Sequence, residues 1–361
     1  MKKRHASVDI FRGLTIMLMI LVNTPGSWSA VYAPFLHAPW HGYTLTDLVF
    51  PFFLFIVGVS ISFSYQGKKL QGSSFIKLSV RSLKLIGLGL FLGAFTLSVP
   101  FFKDFEIIRF PGVLQRIGLV FFFASFLYLW GSKRSTFLLI GILLVGYWLW
   151  MGYIPLNGIA PTYERAINNW ANYIDLNVLG SHMWQADYDP EGILSSLPAI
   201  ATALLGTLTG DLIKSNTYQK VSLMAAIGVA LLLLGYLWDI SFPINKALWS
   251  SSFVLVTAGW ANLLLALLFF ITELKKIPLG GVFKKVGANA ILIYFLSSFI
   301  SKSFSLIKVG DTSLHGYLFQ KIYIQNGLAL EASSLLYALS VCFFYMLSAI
   351  FLYKKKFFLK V

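Results

Sequence analysis

The chain has 361 residues, of which 57% are hydrophobic and only 12% charged, whereas a soluble domain carries about 25% charged residues. Its apolar runs reach about 20 residues, the length that crosses a bilayer, so the composition points to an all-α, polytopic helical bundle in a membrane. The formal charge of +15 comes from lysines in short segments between those runs. That is a topogenic pattern and not a nucleic-acid surface.

Hydropathy predicts ten spans, at 9–25, 46–66, 83–102, 111–130, 136–154, 192–213, 222–238, 251–273, 287–306 and 331–353. The first run follows Lys2, Lys3 and Arg4 and resembles a signal peptide. Arg12 and Asn23 interrupt it and no small-residue cleavage site follows, so a retained first helix is expected. With ten spans, twenty lysines and arginines fall in segments of one side and seven on the other, with Arg12 and Arg116 inside spans. The richer side is expected to be cytoplasmic and to hold both termini. Residues 67–82 read as a basic connector on that side, against anionic lipid.

Two outer segments, around 155–191 and 301–330, are longer than connection requires. The first holds Trp170, Trp184, Tyr163, Tyr173, Tyr188 and several acids, which suits a polar ligand such as a sugar and equally an interfacial aromatic belt. No repeat divides the chain, and a single domain over 1–361 is expected. Cys342, the only cysteine, lies inside the last run, so no internal disulfide is expected. No metal is implied, and no Walker loop or dinucleotide glycine pattern is present.

Ionisable groups at membrane depth are functional candidates by default. Asp9 and Arg12 share a face of the first helix near its cytoplasmic end, suiting an ion pair, a lipid phosphate or a phosphorylated cytosolic donor. Asn23 lies at the outer end of that helix, just before Thr24-Pro25, where it caps the end or meets a ligand carbonyl. His37 and His41 follow in a short loop that includes Trp40. Imidazole is the side chain suited to proton transfer under physiological conditions, and Asp47 at the start of the next span would fix an imidazole tautomer. Arg116, after Gln115 in the fourth span, needs a partner, and Asp47 is the expected one. Asp189 and Glu191 stand at the outer start of the sixth span, where the helix dipole favours acids. His5 and His182 are given no role. Residue chemistry alone leaves enzyme and transporter both open.

Several stretches sharpen this. SVDIFRG from Ser7, Val22-Asn23, HAPWHGYTLTDLVFPFFLFIVGVSI from His37, PGVLQRIG from Pro111, DPEGILSSLPAIATALLGTLTG from Asp189 and GANAILIYFLSS from Gly287 together resemble the heparan-α-glucosaminide N-acetyltransferase family of transmembrane acyltransferases. The resemblance implies transfer of an acetyl group from cytosolic acetyl-CoA to the amine of a terminal glucosamine beyond the membrane. It implies His37 as base or transient acetyl carrier and Asn23 as the group that orients the thioester or stabilises developing charge. Arg12 and Asp9 are then expected on the donor side. Arg116, Gln115, Trp40, Asp189 and Glu191 are expected on the acceptor side. His41 stands where similar members carry asparagine and receives no role. Lysosomal members carry a large domain before the first span, so this compact chain is expected to be a bacterial inner-membrane relative acting on a free or cell-envelope amino sugar. Acetyl-CoA, an amino-sugar acceptor and membrane lipid are the expected partners, with a homodimer as the oligomeric expectation. An amino-sugar permease, or an O-acyltransferase on the same scaffold, is the alternative.

Overall fold

The structure, a computed structural model, describes residues 5–213, 218–324 and 327–359. Lys2, Lys3, Arg4, Lys214 and Lys360 of the charge pattern lie outside the described residues. The described chain is helical almost throughout: α1 (Ala6–Asn23), α2 (Leu45–Tyr65), α3 (Gly72–Ala94), α4 (Val113–Trp130), α5 (Lys133–Tyr153), α6 (Trp170–Leu179), α7 (Ser196–Leu212), α8 (Tyr218–Asp239), α9 (Ser251–Phe269), α10 (Gly281–Ala288), α11 (Ala290–Leu306), α12 (Leu314–Leu318) and α13 (Leu330–Lys354). A two-stranded hairpin, β1 (Lys308–Val309) and β2 (Thr312–Ser313), precedes α12.

Seven of these helices are long and apolar enough to cross a membrane: α1, α2, α4, α5, α8, α9 with its π-helical extension to Leu274, and α13. The chain is a multi-pass membrane protein. Three expected spans differ from this description for separate physical reasons. α3 begins at Gly72, and its first turns absorb most of the expected connector. Leu78, Ser82 and Leu85 recur at helical spacing and are buried there, while Lys77 and Lys84 are exposed. α7 has only 17 residues. The run 287–306 is not one rod: α10 and α11 meet at Asn289 with an 81° bend.

Burial sorts the helices into layers. In α2 the side chains of Leu54, Phe55, Ile56 and Val59 are completely buried. It packs against α7, and α1 packs against α10. α5, α8 and α13 instead expose rows of large apolar residues such as Leu233, Leu237, Phe343 and Phe351, as hydrocarbon-facing helices do. Close approach of the inner helices depends on glycine. A β-carbon at Gly58 would overlap the Ala203 carbonyl, and one at Gly206 would overlap the Phe55 carbonyl. This is the small-residue packing by which membrane helices bring their backbones together.

Hydrogen bonds tie loops to one another and to helix ends at each end of the bundle. At one end Gly42 N donates to the Ile244 carbonyl (2.7 Å), Phe110 N to that of His182 (3.0 Å) and Gly26 N to that of Ser334 (3.2 Å). At the other, Leu70 N donates to the Leu129 carbonyl (3.2 Å), and Asn289 Nδ2 to that of Phe357 (2.9 Å). Gly206→Ala is expected to lower the detergent melting midpoint by an amount equivalent to about 1–3 kcal/mol. Gly141→Ala, whose β-carbon meets nothing within 4 Å, should leave it unchanged. Equal midpoints for the two variants would remove the close-packing account of α2 and α7.

Candidate active site

Asp47 occupies the first turn of α2 and is 1% exposed. Thr44 caps the helix in a reciprocal capping box. The Asp47 Oδ2 atom accepts from Thr44 N (2.9 Å), Thr44 Oγ1 (3.1 Å) and Ala38 N (3.0 Å). Oδ1 accepts from His37 Nδ1 at 2.6 Å. One buried carboxylate thus closes the loop from Ala38 to Thr44 and holds the His37 ring. A carboxylate is acceptor only, so Nδ1 carries a proton, and in the neutral ring the lone pair is then on Nε2. The His37 side chain is half exposed.

The loop between α8 and α9 brings in a cation. Asn245 is fully buried. Its N–H donates to Ser250 Oγ (3.0 Å), and its Oδ1 accepts from Leu248 N (2.9 Å). Trp249 takes a left-handed backbone (φ 51°), is completely buried, and donates from Nε1 to Thr202 Oγ1 (3.1 Å). This rigid turn sets Lys246 Nζ at 3.0 Å from His37 Nδ1, 3.2 Å from His37 Nε2 and 3.5 Å from Asp47 Oδ1. Burial pushes the Lys246 ammonium below the ordinary lysine range, against the opposing pull of Asp47 and then Glu191.

The facing wall is an ion-pair lattice. Arg109 makes a two-pronged bond to Asp189 (2.8 and 2.6 Å) and a further one to Glu191 (2.5 Å). Its guanidinium lies 5.1 Å from the Trp184 ring centre. Burial opposes charge on both Arg109 and Glu191, yet pairing wins: Arg109 is held above its ordinary range and Glu191 below its own. Arg116 stands behind this wall, 2% exposed. It donates to the Pro190 carbonyl (3.0 Å), the Gly192 carbonyl (2.8 Å) and Ser195 Oγ (2.5 Å). The expected Arg116–Asp47 pair is therefore replaced. Asp47 is already satisfied by four donors, and Arg116 fixes the Pro190–Ser195 turn. Asp175 supports the same turn by accepting from Ile193 N (2.8 Å).

These groups surround a cavity of about 610 Å³ lined by Asn23, His37, Trp40, Asp47, Glu191 and Lys246, with Trp28, Arg109, Trp184, Tyr188 and Tyr294 completing it. Of the expected residues, His37, Asn23, Asp47, Trp40 and Glu191 are brought together here. Asp189 lies behind the wall on Arg109. Gln115 turns toward Gly89 of α3 and does not line the cavity. His41 turns to Glu164 (3.0 Å). His182 stacks on Phe110 with ring centres 3.9 Å apart. His5 stacks on Phe63, with ring centres 5.1 Å apart. Arg109 and Lys246 were not singled out from sequence. Their signal was being cations in segments expected on the outer side, where lysine and arginine are scarce.

A second cavity of about 430 Å³ opens toward the other end of the bundle, lined by Arg12, Ser60, Ser64, Tyr65, Arg81 and Asn289 among others. Arg12 donates to Ser60 Oγ (2.5 Å), the Gly287 carbonyl (3.3 Å) and Asp9 Oδ1 (3.5 Å). Asp9 is buried beside it. The two cavities draw on the same four helices. On α2 they are lined by Phe50 and Phe53, on α4 by Val113 and Ile117, on α11 by Tyr294 and Ile291, and on α1 by Met19 and Arg12. Three or four residues of helix advance about 5 Å, so on three of the four helices about one turn separates them.

The class defined so far is an all-helical, multi-pass membrane protein with a carboxylate-held histidine in an aromatic, charged cavity. Comparison with known proteins then identifies the family: residues 4–237 match the one described as "Heparan-alpha-glucosaminide N-acetyltransferase, catalytic". The chain belongs to that family. It is 31% identical over 350 residues to heparan-alpha-glucosaminide N-acetyltransferase of Homo sapiens, covering 81% of this chain and 52% of that protein. It is 29% identical over 416 positions to the Mus musculus protein of the same name, covering 99% of this chain and 60% of that protein. The chain therefore spans little more than half the length of these relatives.

Asp175 generates a pH prediction. Burial, with the Asp189 charge adding to it, raises its carboxyl to about 6 from 3.8, against the Ile193 N–H and Arg116. A raised folded value stabilises the protein below the unfolded value and loses that contribution as pH rises through about 6. Asp175→Asn keeps an acceptor for Ile193 N–H. It should melt above wild type at pH 7.5, by the equivalent of about 1–3 kcal/mol, with the advantage gone near pH 4. A difference independent of pH would contradict this.

Proposed function

We propose that this chain is a transmembrane N-acetyltransferase that moves an acetyl group from cytosolic acetyl-CoA to the amine of a glucosamine-type sugar on the opposite side. The observation that carries the reading is the His37–Asp47 pair, presented with Asn23 in a cavity whose helices also line a basic cavity from the other end. In this reading the helices form ten crossings with both termini cytoplasmic, and the membrane is a bacterial inner membrane. The Arg12 cavity then faces the cytosol and the His37 cavity faces outward. Family membership supports the reaction class, and the printed name of both relatives supports a glucosaminide acceptor.

The geometry supports the following chemistry. Arg12, with Arg81 and the serines of α2, suits the phosphates of the donor, where charge-assisted hydrogen bonds are strongest. About one helical turn separates that cavity from the other, a span that an extended thioester arm covers. On the outer side, Trp40, Trp184 and Tyr188 offer ring faces for a sugar. His37 Nε2 takes a proton from the acceptor amine, while Asp47 holds Nδ1–H and stabilises the imidazolium that forms. Asn23 orients the thioester carbonyl. The His37 proton then passes to the departing sulfur. Removing a positioned general base costs about 10²–10⁴ in rate.

The test uses purified protein in detergent with acetyl-CoA and glucosamine, following CoA release and acetylated product. Wild type should turn over, and His37→Ala should lose at least about 100-fold with its melting midpoint retained. Asp47→Asn should also fall sharply. No CoA release with any amino sugar would overturn the transferase reading. Full activity in His37→Ala would overturn only the assignment of the base.

A further inference from the structure

Lys246 lies against the His37–Asp47 pair, and neither its sequence context nor the family's name gives it a task. Its side chain is 17% exposed and lines the outer cavity. Burying an ammonium is costly unless it is well paired. Lys246 Nζ stands 3.5 Å from Asp47 Oδ1, long for a charge-assisted bond, which closes to about 2.7–2.9 Å. Asp47 already accepts from His37, Thr44 and Ala38, so it attracts the ammonium by charge without closing a short hydrogen bond to it. The closer contacts are with the His37 ring, at 3.0 Å from Nδ1 and 3.2 Å from Nε2.

The second of those contacts marks a position. An amine giving its proton to Nε2 sits about 3 Å from that nitrogen. The carbonyl oxygen of the group it attacks is then two bonds from the amine nitrogen. A donor already within 3.2 Å of Nε2, on a flexible stem rooted in a rigid turn, reaches that oxygen with a small rotation.

We propose that Lys246 is a catalytic residue of the acetyl transfer, its Nζ donating to the thioester carbonyl oxygen as that oxygen becomes anionic. The proposal rests on the transferase reading above. In the step, the amine nitrogen bonds to the acyl carbon and its proton passes to His37 Nε2. The carbonyl electron pair moves onto oxygen, where the Lys246 ammonium meets it. The tetrahedral centre then collapses. The carbon–sulfur bond breaks, the sulfur leaves with its electron pair, and it takes the proton from His37. An amide and a thiol result, and Lys246 is an ammonium before and after. A positioned donor of this kind is worth about 10²–10³ in kcat.

Lys246→Cys tests the proposal, because the only other thiol, Cys342, is buried. Bromoethylamine converts the new cysteine to a lysine-length ammonium. With acetyl-CoA and glucosamine, Lys246→Cys should lose about 10²–10³ in kcat, with both KM values changed by less than about threefold. Alkylation should restore at least tenfold of the lost kcat, relative to mock-treated protein from the same preparation, so a folding defect common to both samples does not imitate recovery. Lys246→Met should show the same kcat loss and no rescue. Retention of kcat within about threefold in Lys246→Cys, or no recovery after mass spectrometry shows complete alkylation, would overturn the proposal. A change confined to KM would also overturn it, making Lys246 a binding group. Inactive wild-type protein would instead defeat the transferase reading itself.

Discussion

A carboxylate buried at the end of a membrane helix must have its charge answered, and at Asp47 that requirement shapes the site. Its two oxygens take one imidazole, two backbone N–H groups and one hydroxyl. Each donor belongs to the loop before α2, so satisfying the charge also folds the loop. The histidine that results is fixed in tautomer and direction before any substrate arrives. This is preorganisation of the kind that makes a site cost little reorganisation at the moment of reaction. Asp47 thus serves as helix cap, loop closure and partner of the imidazole, which ties His37 to a helix whose middle residues Leu54, Phe55 and Ile56 are completely buried.

The opposite wall obeys a related constraint with a different solution. Arg109, Asp189 and Glu191 answer one another, and Arg116 answers the carbonyls of the turn between α6 and α7. Breaking one member of such a buried set leaves uncompensated charge and costs about 3–5 kcal/mol. The cavity between the walls is therefore flanked by charge on both sides and lined with aromatic rings. Because α1, α2, α4 and α11 also line the Arg12 cavity, the two chambers are coupled through shared helices, with about one helical turn between them on most.

Much of this was legible in the sequence, and the exceptions have physical causes. The ten-residue spacing of His37 and Asp47 permitted their contact without showing it, and the family resemblance, not the spacing, singled out His37 over His41; the contact itself is seen only in the structure. The aromatic character of 155–191 was readable from composition, and its Trp184 and Tyr188 line the cavity, though composition left an interfacial belt equally open. Helix ends followed hydropathy closely where the run was purely apolar, as in α9 and α13. They failed at α3, where the exposed Lys77 and Lys84 hid three buried positions at helical spacing, and at Asn289, where an apolar average conceals a sharp bend. Arg109 and Lys246 escaped because a lone cation in an irregular loop carries no period. Their significance comes from a turn fixed by Asn245 and Trp249 and from acids 80 residues away. Arg116 was correctly suspected of needing a partner. The partners proved to be two backbone carbonyls and the Ser195 hydroxyl, which no charge-pairing rule anticipates.

In the proposed reaction, donor and acceptor meet at His37 from opposite sides of the membrane. Proteoliposomes of known orientation test it most directly, with acetyl-CoA supplied only to the side of the Arg12 cavity and glucosamine only to the side of the His37 cavity. The account predicts acetylated sugar accumulating in the glucosamine compartment and free CoA in the other. Product formed only when both substrates share one compartment would contradict it.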